Sequence, residues 1–131
     1  MTGTWRAWHC RGGAAAVEFA LMLPLMLTTI LVAVESGRAL WLHNTLQFAS
    51  EEAARHVMVH PDAADADVAD LALSRLPNIP PGEVGVSVTR EVANGTDFVT
   101  VRLTIPFRPL AGLLPPDLLL LEGEARVPLP Q

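Results

Sequence analysis

The stretch that determines the fold runs from Gly13 to Val34 and reads GAAAVEFALMLPLMLTTILVAV. From Ala14 to Val34 the only ionisable side chain is that of Glu18, and about 20 apolar helical residues are enough to cross the hydrocarbon core of a bilayer. We therefore predict a membrane-spanning helix. A removable secretory signal is the poorer interpretation, since its apolar core is only about 7 to 15 residues long and is followed by small residues.

Glu18 is the unusual residue of this stretch. A carboxylate costs about 2.5 to 3.5 kcal/mol near the centre of a membrane helix and less towards the interface. If a protease cuts after Gly13, the new ammonium group of Ala14 lies four residues before Glu18, a spacing at which two side-chain positions meet on a helix. Pairing of these charges, within one chain or between packed helices, would offset the cost of burying both. The positive end of the helix dipole favours the same carboxylate.

These residues resemble a known processing signal. A leader with basic residues, Gly13 at the cleavage position and the run AAAVEF are similar to the class III signal of type IV pilin-like proteins, most closely the TadE-like minor pseudopilins of the tight-adherence (Flp) pilus system. The resemblance implies that a prepilin peptidase cuts between Gly13 and Ala14, and that Glu18 pairs with the amino terminus of a neighbouring subunit. Phe19 stands where the short major Flp pilins carry tyrosine, and the resemblance implies a packing kink at Pro24.

The implied function is structural: a minor pseudopilin that takes part in Flp pilus assembly, adhesion and the associated secretion machinery. Its implied partners are the prepilin peptidase, other pilin and pseudopilin subunits, the inner-membrane assembly platform and membrane lipid. Basic residues precede the apolar run and Glu35 follows it, so the positive-inside rule places the amino terminus in the cytoplasm and the head in the periplasm. Trp5, Trp8 and Trp41 suit interfacial anchors.

Composition limits the other function classes. The 131 residues carry a net charge of -5, and removal of residues 1–13 would take away Arg6 and Arg11 and leave the chain more acidic. Nucleic acid is excluded as a partner because the basic patch that a phosphate backbone requires is missing. The only cysteine, Cys10, lies in the leader and is interpreted as a chemically idle thiol, since a lipoprotein cysteine follows its apolar run.

The periodicity predicts an α+β, pilin-like fold with four segments. Residues 1–13 form a leader, 14–34 the membrane helix, 35–60 a helical stalk and 61–131 a periplasmic head. The stalk carries an apolar stripe spaced for one helix face, which we expect to pack on the chain's own head: Leu42, Leu46, Ala49, Ala53 and Val57.

The head is predicted to contain one helix and a small antiparallel sheet. The helix should run from Asp62 to Leu76, between Pro61 and Pro77. Apolar and polar residues alternate over three later runs, at 84–89, 99–107 and 119–127, and Asn94-Gly95 between the first two is a strong hairpin signal. Pro106 should mark an edge or exit of the second strand.

No catalytic constellation, cofactor motif or metal site is convincing in the sequence, so we predict a protein that is not an enzyme. His56 and His60 with Glu52 could supply three metal ligands, but a solvated helix face is the favoured interpretation. Two alternatives remain open: an uncleaved single-pass membrane protein whose periplasmic head binds another envelope component, and a membrane-tethered enzyme that uses the two histidines.

Overall fold

The computed structural model describes residues 11–110 and 119–130. The described residues form a long helix, a second helix, a short 3-10 turn and three strands. In chain order they are α1 (Arg11–Val59), α2 (Asp65–Ser74), η1 (Pro81–Glu83), β1 (Gly85–Ala93), β2 (Thr96–Pro106) and β3 (Leu120–Pro128). The α+β class predicted from the sequence is confirmed. The chain divides into two compact units, Met1–Val34 and Glu35–Gln131.

The described part of the first unit is the apolar half of α1. By length and composition, Gly13–Val59 is long and apolar enough to cross a membrane, and none of its most apolar 18-residue window is buried within the chain. A helix that is apolar on all sides requires an apolar surrounding. Residues 11–110 and 119–130 supply none for this window, and lipid or other helices are the surroundings that such a surface suits.

The second unit has one hydrophobic core between the outer half of α1, α2 and one face of the sheet. All five residues of the predicted stripe are buried in it, together with Val68 and Ala72 of α2 and four alternate residues of β2. The expectation that the stripe packs on the chain's own head is therefore confirmed. The core needs few large side chains because small residues such as Ala49 and Ala53 let the elements approach closely.

The sheet is antiparallel with the order β1-β2-β3. The β1–β2 hairpin turns at Asn94-Gly95, whose φ values of 52° and 78° match the left-handed pair that a two-residue hairpin requires. Pro106 is the last residue of the central strand, so the predicted exit position is confirmed and the predicted edge position is wrong. A proline is acceptable there because the ladder ends with it.

The second helix is shorter than predicted. It begins at Asp65 and ends at Ser74, whereas the sequence suggested 62–76. Asp62 lies in a turn closed by a hydrogen bond from Ala63 N to His60 O of 3.1 Å. The chain must reverse direction after His60-Pro61, and this turn uses the residues that the sequence pattern had assigned to the first helical turn.

Candidate processing and assembly site

The proposed cleavage position lies in the first turns of α1. Gly13 and Ala14 are both helical and exposed. A Cβ added to Gly13 would meet no atom within 4 Å, so the fold of the chain does not itself require glycine at this position. Gly12 and Gly13 each disfavour helix by about 1 kcal/mol relative to alanine, which makes this helix end easy to unwind.

Glu18 and Phe19 lie on the exposed surface of the same helix. Glu18 is four residues after Ala14, one turn or about 6 Å along the axis, so the structure places both positions on one helix face. Within residues 11–110 and 119–130 no hydrogen bond or ion pair to the Glu18 carboxylate occurs. As far as these residues are concerned, the Glu18 carboxylate is available for a partner of positive charge.

Pro24 lies inside α1, which continues as one helix on both sides of it. Proline lacks the N–H that would bond to the carbonyl of Ala20. One turn later the hydroxyls of Thr28 and Thr29 donate to the carbonyls of Pro24 and Leu25, at 2.8 and 2.9 Å. Such bonds satisfy hydroxyl groups in an apolar segment and are associated with helix bending. The kink itself stays a prediction.

The weaker candidates do not form a site in the part of the chain that the structure describes. The rings of His56 and His60 stack with centroids 4.5 Å apart, and Glu52 is 3.4 Å from the guanidinium of Arg75. No group of three possible ligands that could hold a metal ion occurs among the described residues. Trp5, Trp8 and Cys10 lie outside the described residues.

Sequence reasoning missed a cluster immediately after the apolar stretch, between α1 and the segment that follows β2. Arg38 pairs with Glu35 at 3.1 Å, lies 4.5 Å from the ring centroid of Phe107, and donates to the carbonyl of Arg108. The second oxygen of Glu35 accepts a hydrogen bond of 2.9 Å from the backbone of Leu110. The i,i+3 pair was visible in the sequence, but its partners about 70 residues away were not.

A second missed contact ties the stalk to the edge of the sheet. The side-chain amide of Gln47 donates to Glu124 O at 3.0 Å, and its carbonyl accepts from Glu124 N at 3.2 Å. Gln47 therefore mimics one residue of a neighbouring strand at the open edge of β3. Nothing local in the sequence distinguishes this glutamine from a solvent-exposed one.

The outer face of the sheet carries charged residues that pair with each other. Arg102 contacts Glu122 at 2.9 Å and Glu124 at 2.6 Å. The hydrogen bond to Glu124, and then the negative charges of both glutamates, raise the pKa of Arg102 above its ordinary value. These charges form a solvated ion-pair network on the outer face of the sheet.

The comparison with known proteins places the five candidate residues in one matched segment. Residues 13–55 match the family described as TadE-like protein, which covers the cleavage position, Glu18, Phe19, Pro24 and most of the stalk but not the sheet. No match was found among curated proteins or solved structures. TadE-like proteins are structural pilus components that associate with other pilus components and do not form an enzyme family. The long amino-terminal helix therefore carries a TadE-like segment, in agreement with the resemblance noted in the sequence.

Proposed function

We propose that this protein is a minor pseudopilin that a prepilin peptidase processes between Gly13 and Ala14. It is inserted in the bacterial inner membrane with its leader in the cytoplasm and its head in the periplasm. After cleavage, the helix that begins at Ala14 associates with other pilin and pseudopilin subunits and the assembly platform. The head stays attached because the cut removes only residues 1–13.

The observation that carries the proposal is the position of Glu18. Its carboxylate lies in an apolar helix, has no partner among the described residues, and is one turn from the amino group that cleavage would create. An isolated carboxylate in hydrocarbon is costly, and an ammonium group is the partner that removes most of this cost. Between subunits, the pairing would set the axial position of one helix against its neighbour.

Gly13 supports the proposal independently. Because a Cβ added at Gly13 would meet no atom within 4 Å, packing among the described residues gives no reason for glycine at this position. A protease subsite that accepts only glycine would explain why glycine occupies position 13. The Gly12-Gly13 pair also lowers the cost of unwinding the first helical turn into the extended conformation that a protease binds.

Mass spectrometry of the chain made with and without its cognate prepilin peptidase tests processing. We expect the peptidase to remove residues 1–13 from the wild type and to leave Gly13→Val intact, with an unchanged head. Gly37→Ala is the matched control, since a Cβ at this glycine also meets nothing within 4 Å, and it should be cleaved normally. A wild-type chain that retains its leader with the peptidase present would refute the proposed processing.

The role of Glu18 is tested by assembly in cells. Glu18→Ala and Glu18→Gln should both be cleaved, yet assembly should be strongly impaired in both, because glutamine keeps the size of the side chain and loses its charge. Glu51→Ala is the control for removal of a glutamate, since Glu51 is on the outer half of α1 and, among the described residues, pairs with Gln47 and Arg55. Normal piliation with Glu18→Gln would contradict the electrostatic pairing.

A further inference from the structure

We propose that the head makes a second contact with the lipid bilayer, through the proximal leucines, defined as Leu110, Leu119 and Leu120. This inference rests on the proposed membrane insertion of residues 14–34. The proximal leucines flank the segment between β2 and β3. Their partner is the boundary between the headgroups and the acyl chains of the leaflet from which α1 emerges.

The first step is that Leu110 is fixed beside the start of the second unit. Its backbone N–H donates to Glu35, and Glu35 is the residue that directly follows the apolar run. Arg38, one helical turn further along α1, donates a hydrogen bond to the backbone carbonyl of Arg108, two residues before Leu110. Its guanidinium stacks on the ring of Phe107. The Glu35 side chain is only 14% exposed, so this attachment is largely shielded from water.

The second step is that Leu119 and Leu120 lie at the same height along the outer half of α1 as Leu110. Phe107 N donates to Leu119 O at 2.8 Å, and Pro106 pairs with Leu120 in the sheet register. A second estimate starts from Glu124, which is hydrogen-bonded to Gln47 of α1. From Glu124 back to Leu120 is four residues of strand, or about 13 Å. The same distance along α1 corresponds to about nine residues, which leads from Gln47 to Arg38.

The third step is the depth of this level relative to the bilayer. Arg38 lies about 4 to 5 Å of helix rise beyond Glu35. The headgroup region on each side of the hydrocarbon core is about 5 to 8 Å thick. If the apolar run ends at the hydrocarbon boundary, Glu35 and Arg38, which bind the segment of Leu110, are within one headgroup thickness of it along the helix.

The fourth step is exposure and charge. The proximal leucines are exposed: Leu110 to 74%, Leu119 to 43% and Leu120 to 69%. Transfer of such large apolar side chains from water into an apolar environment is favourable in free energy. The side chain of Arg108 is 68% exposed and lies 3.9 Å from Glu83, so its guanidinium is loosely paired and can also reach lipid phosphates. The charges at this end are thus balanced by partners, and the exposed leucines are the groups that gain from contact with the bilayer next to which the apolar run ends. Such an apolar surface continuous with a membrane helix suits lipid.

Nitroxide labels on the full-length chain test this depth. Single-cysteine variants Leu110→Cys, Leu120→Cys, Leu25→Cys and Val92→Cys would be made in a Cys10→Ser background. They would be reconstituted at low density in vesicles of phosphatidylethanolamine and phosphatidylglycerol. Val92 is the matched control, because it is 75% exposed and lies beside the β1–β2 turn. We expect the ratio of oxygen to nickel-chelate accessibility to be severalfold higher at positions 110 and 120 than at position 92.

Each other outcome overturns the inference in a distinguishable way. Equal ratios at positions 92, 110 and 120, with a lipid-like ratio at position 25, would refute the second contact and leave the membrane span intact. A water-like ratio at position 25 would refute the span and therefore the proposed function as well. Protection of positions 110 and 120 from both reagents that increases with protein density would show a protein partner instead of lipid.

Discussion

Gly123→Ala tests the closest approach in the head. Gly123 lies in β3 opposite α1, and a Cβ added there would be 2.4 Å from Leu46 C, 2.5 Å from Gln47 N and 2.7 Å from Leu46 O. All three are backbone atoms of a helix, so no side-chain rotation relieves the clash. The strand and the helix must separate by about 1 Å to restore an ordinary van der Waals distance.

The expected cost has two parts. Overpacking of a close interface costs about 1 to 3 kcal/mol. A separation of about 1 Å also breaks the two hydrogen bonds between Gln47 and Glu124, each with a net contribution of about 0.5 to 1.5 kcal/mol. Together the substitution should lower the free energy of unfolding of the head by about 2 to 6 kcal/mol, a large share of the roughly 5 to 15 kcal/mol of a typical domain.

The assay is urea unfolding of the full-length chain in detergent micelles, followed by the far-ultraviolet signal of the sheet. Gly37→Ala is the matched control, because its Cβ meets nothing and a helical glycine-to-alanine change is neutral or stabilising by up to about 1 kcal/mol. Gln47→Ala measures the hydrogen-bond part separately. In the double variant the two effects should be less than additive, because Gly123→Ala already breaks the bonds that Gln47→Ala removes.

A Gly123→Ala chain whose unfolding free energy lies within about 0.5 kcal/mol of wild type, the size of an ordinary surface substitution, would refute this reasoning. Full additivity with Gln47→Ala would refute the second part alone, since the hydrogen bonds would then survive the added methyl group.

Three further predictions concern the head. Arg90→Ala should destabilise the head by about 1 to 3 kcal/mol in the same urea assay, because the guanidinium donates to Asp65 and to two backbone carbonyls. Arg90→Lys should restore only part of the lost stability, because an ammonium group cannot reproduce the planar set of guanidinium donors. Full restoration by lysine would contradict this role of the guanidinium. Gly95→Ala should cost about 1 to 2 kcal/mol, since its φ is 78° and a Cβ is strained there, and an unchanged midpoint would count against that turn. Arg102→Met should lower stability slightly, by an amount that stays constant between pH 5 and 9, because a raised pKa adds stability that is lost only at strongly alkaline pH. A difference from wild type that changes with pH in this range would oppose the assignment.

Much of the architecture could be predicted because its signals are local. The apolar run predicted the long helix, the three- and four-residue spacing of the stripe predicted its buried face, and Asn94-Gly95 predicted the hairpin. The residues of the candidate site also came from local signals, since Gly13, Glu18 and Pro24 stand out against their immediate neighbours, and their roles stay predictions. The second helix was placed too long because the turn after His60-Pro61 depends on where the chain must go next.

Long-range contacts could not be predicted in this way. The glycine at position 123 looked like one small residue in an alternating strand, and only packing showed that it touches the backbone of α1. The attachment of Leu110 to Glu35 and of Glu124 to Gln47 joins residues 75 and 77 positions apart.

The sequence by itself determined the long apolar helix, the alternation of the strands and the position of Glu18 within the apolar run, because periodicity and transfer from water depend on neighbouring residues. The tertiary structure alone decided how closely β3 approaches α1 and that Leu110 lies beside Glu35. Those features depend on which backbone surfaces meet after folding, and no pattern within a short stretch of chain specifies that.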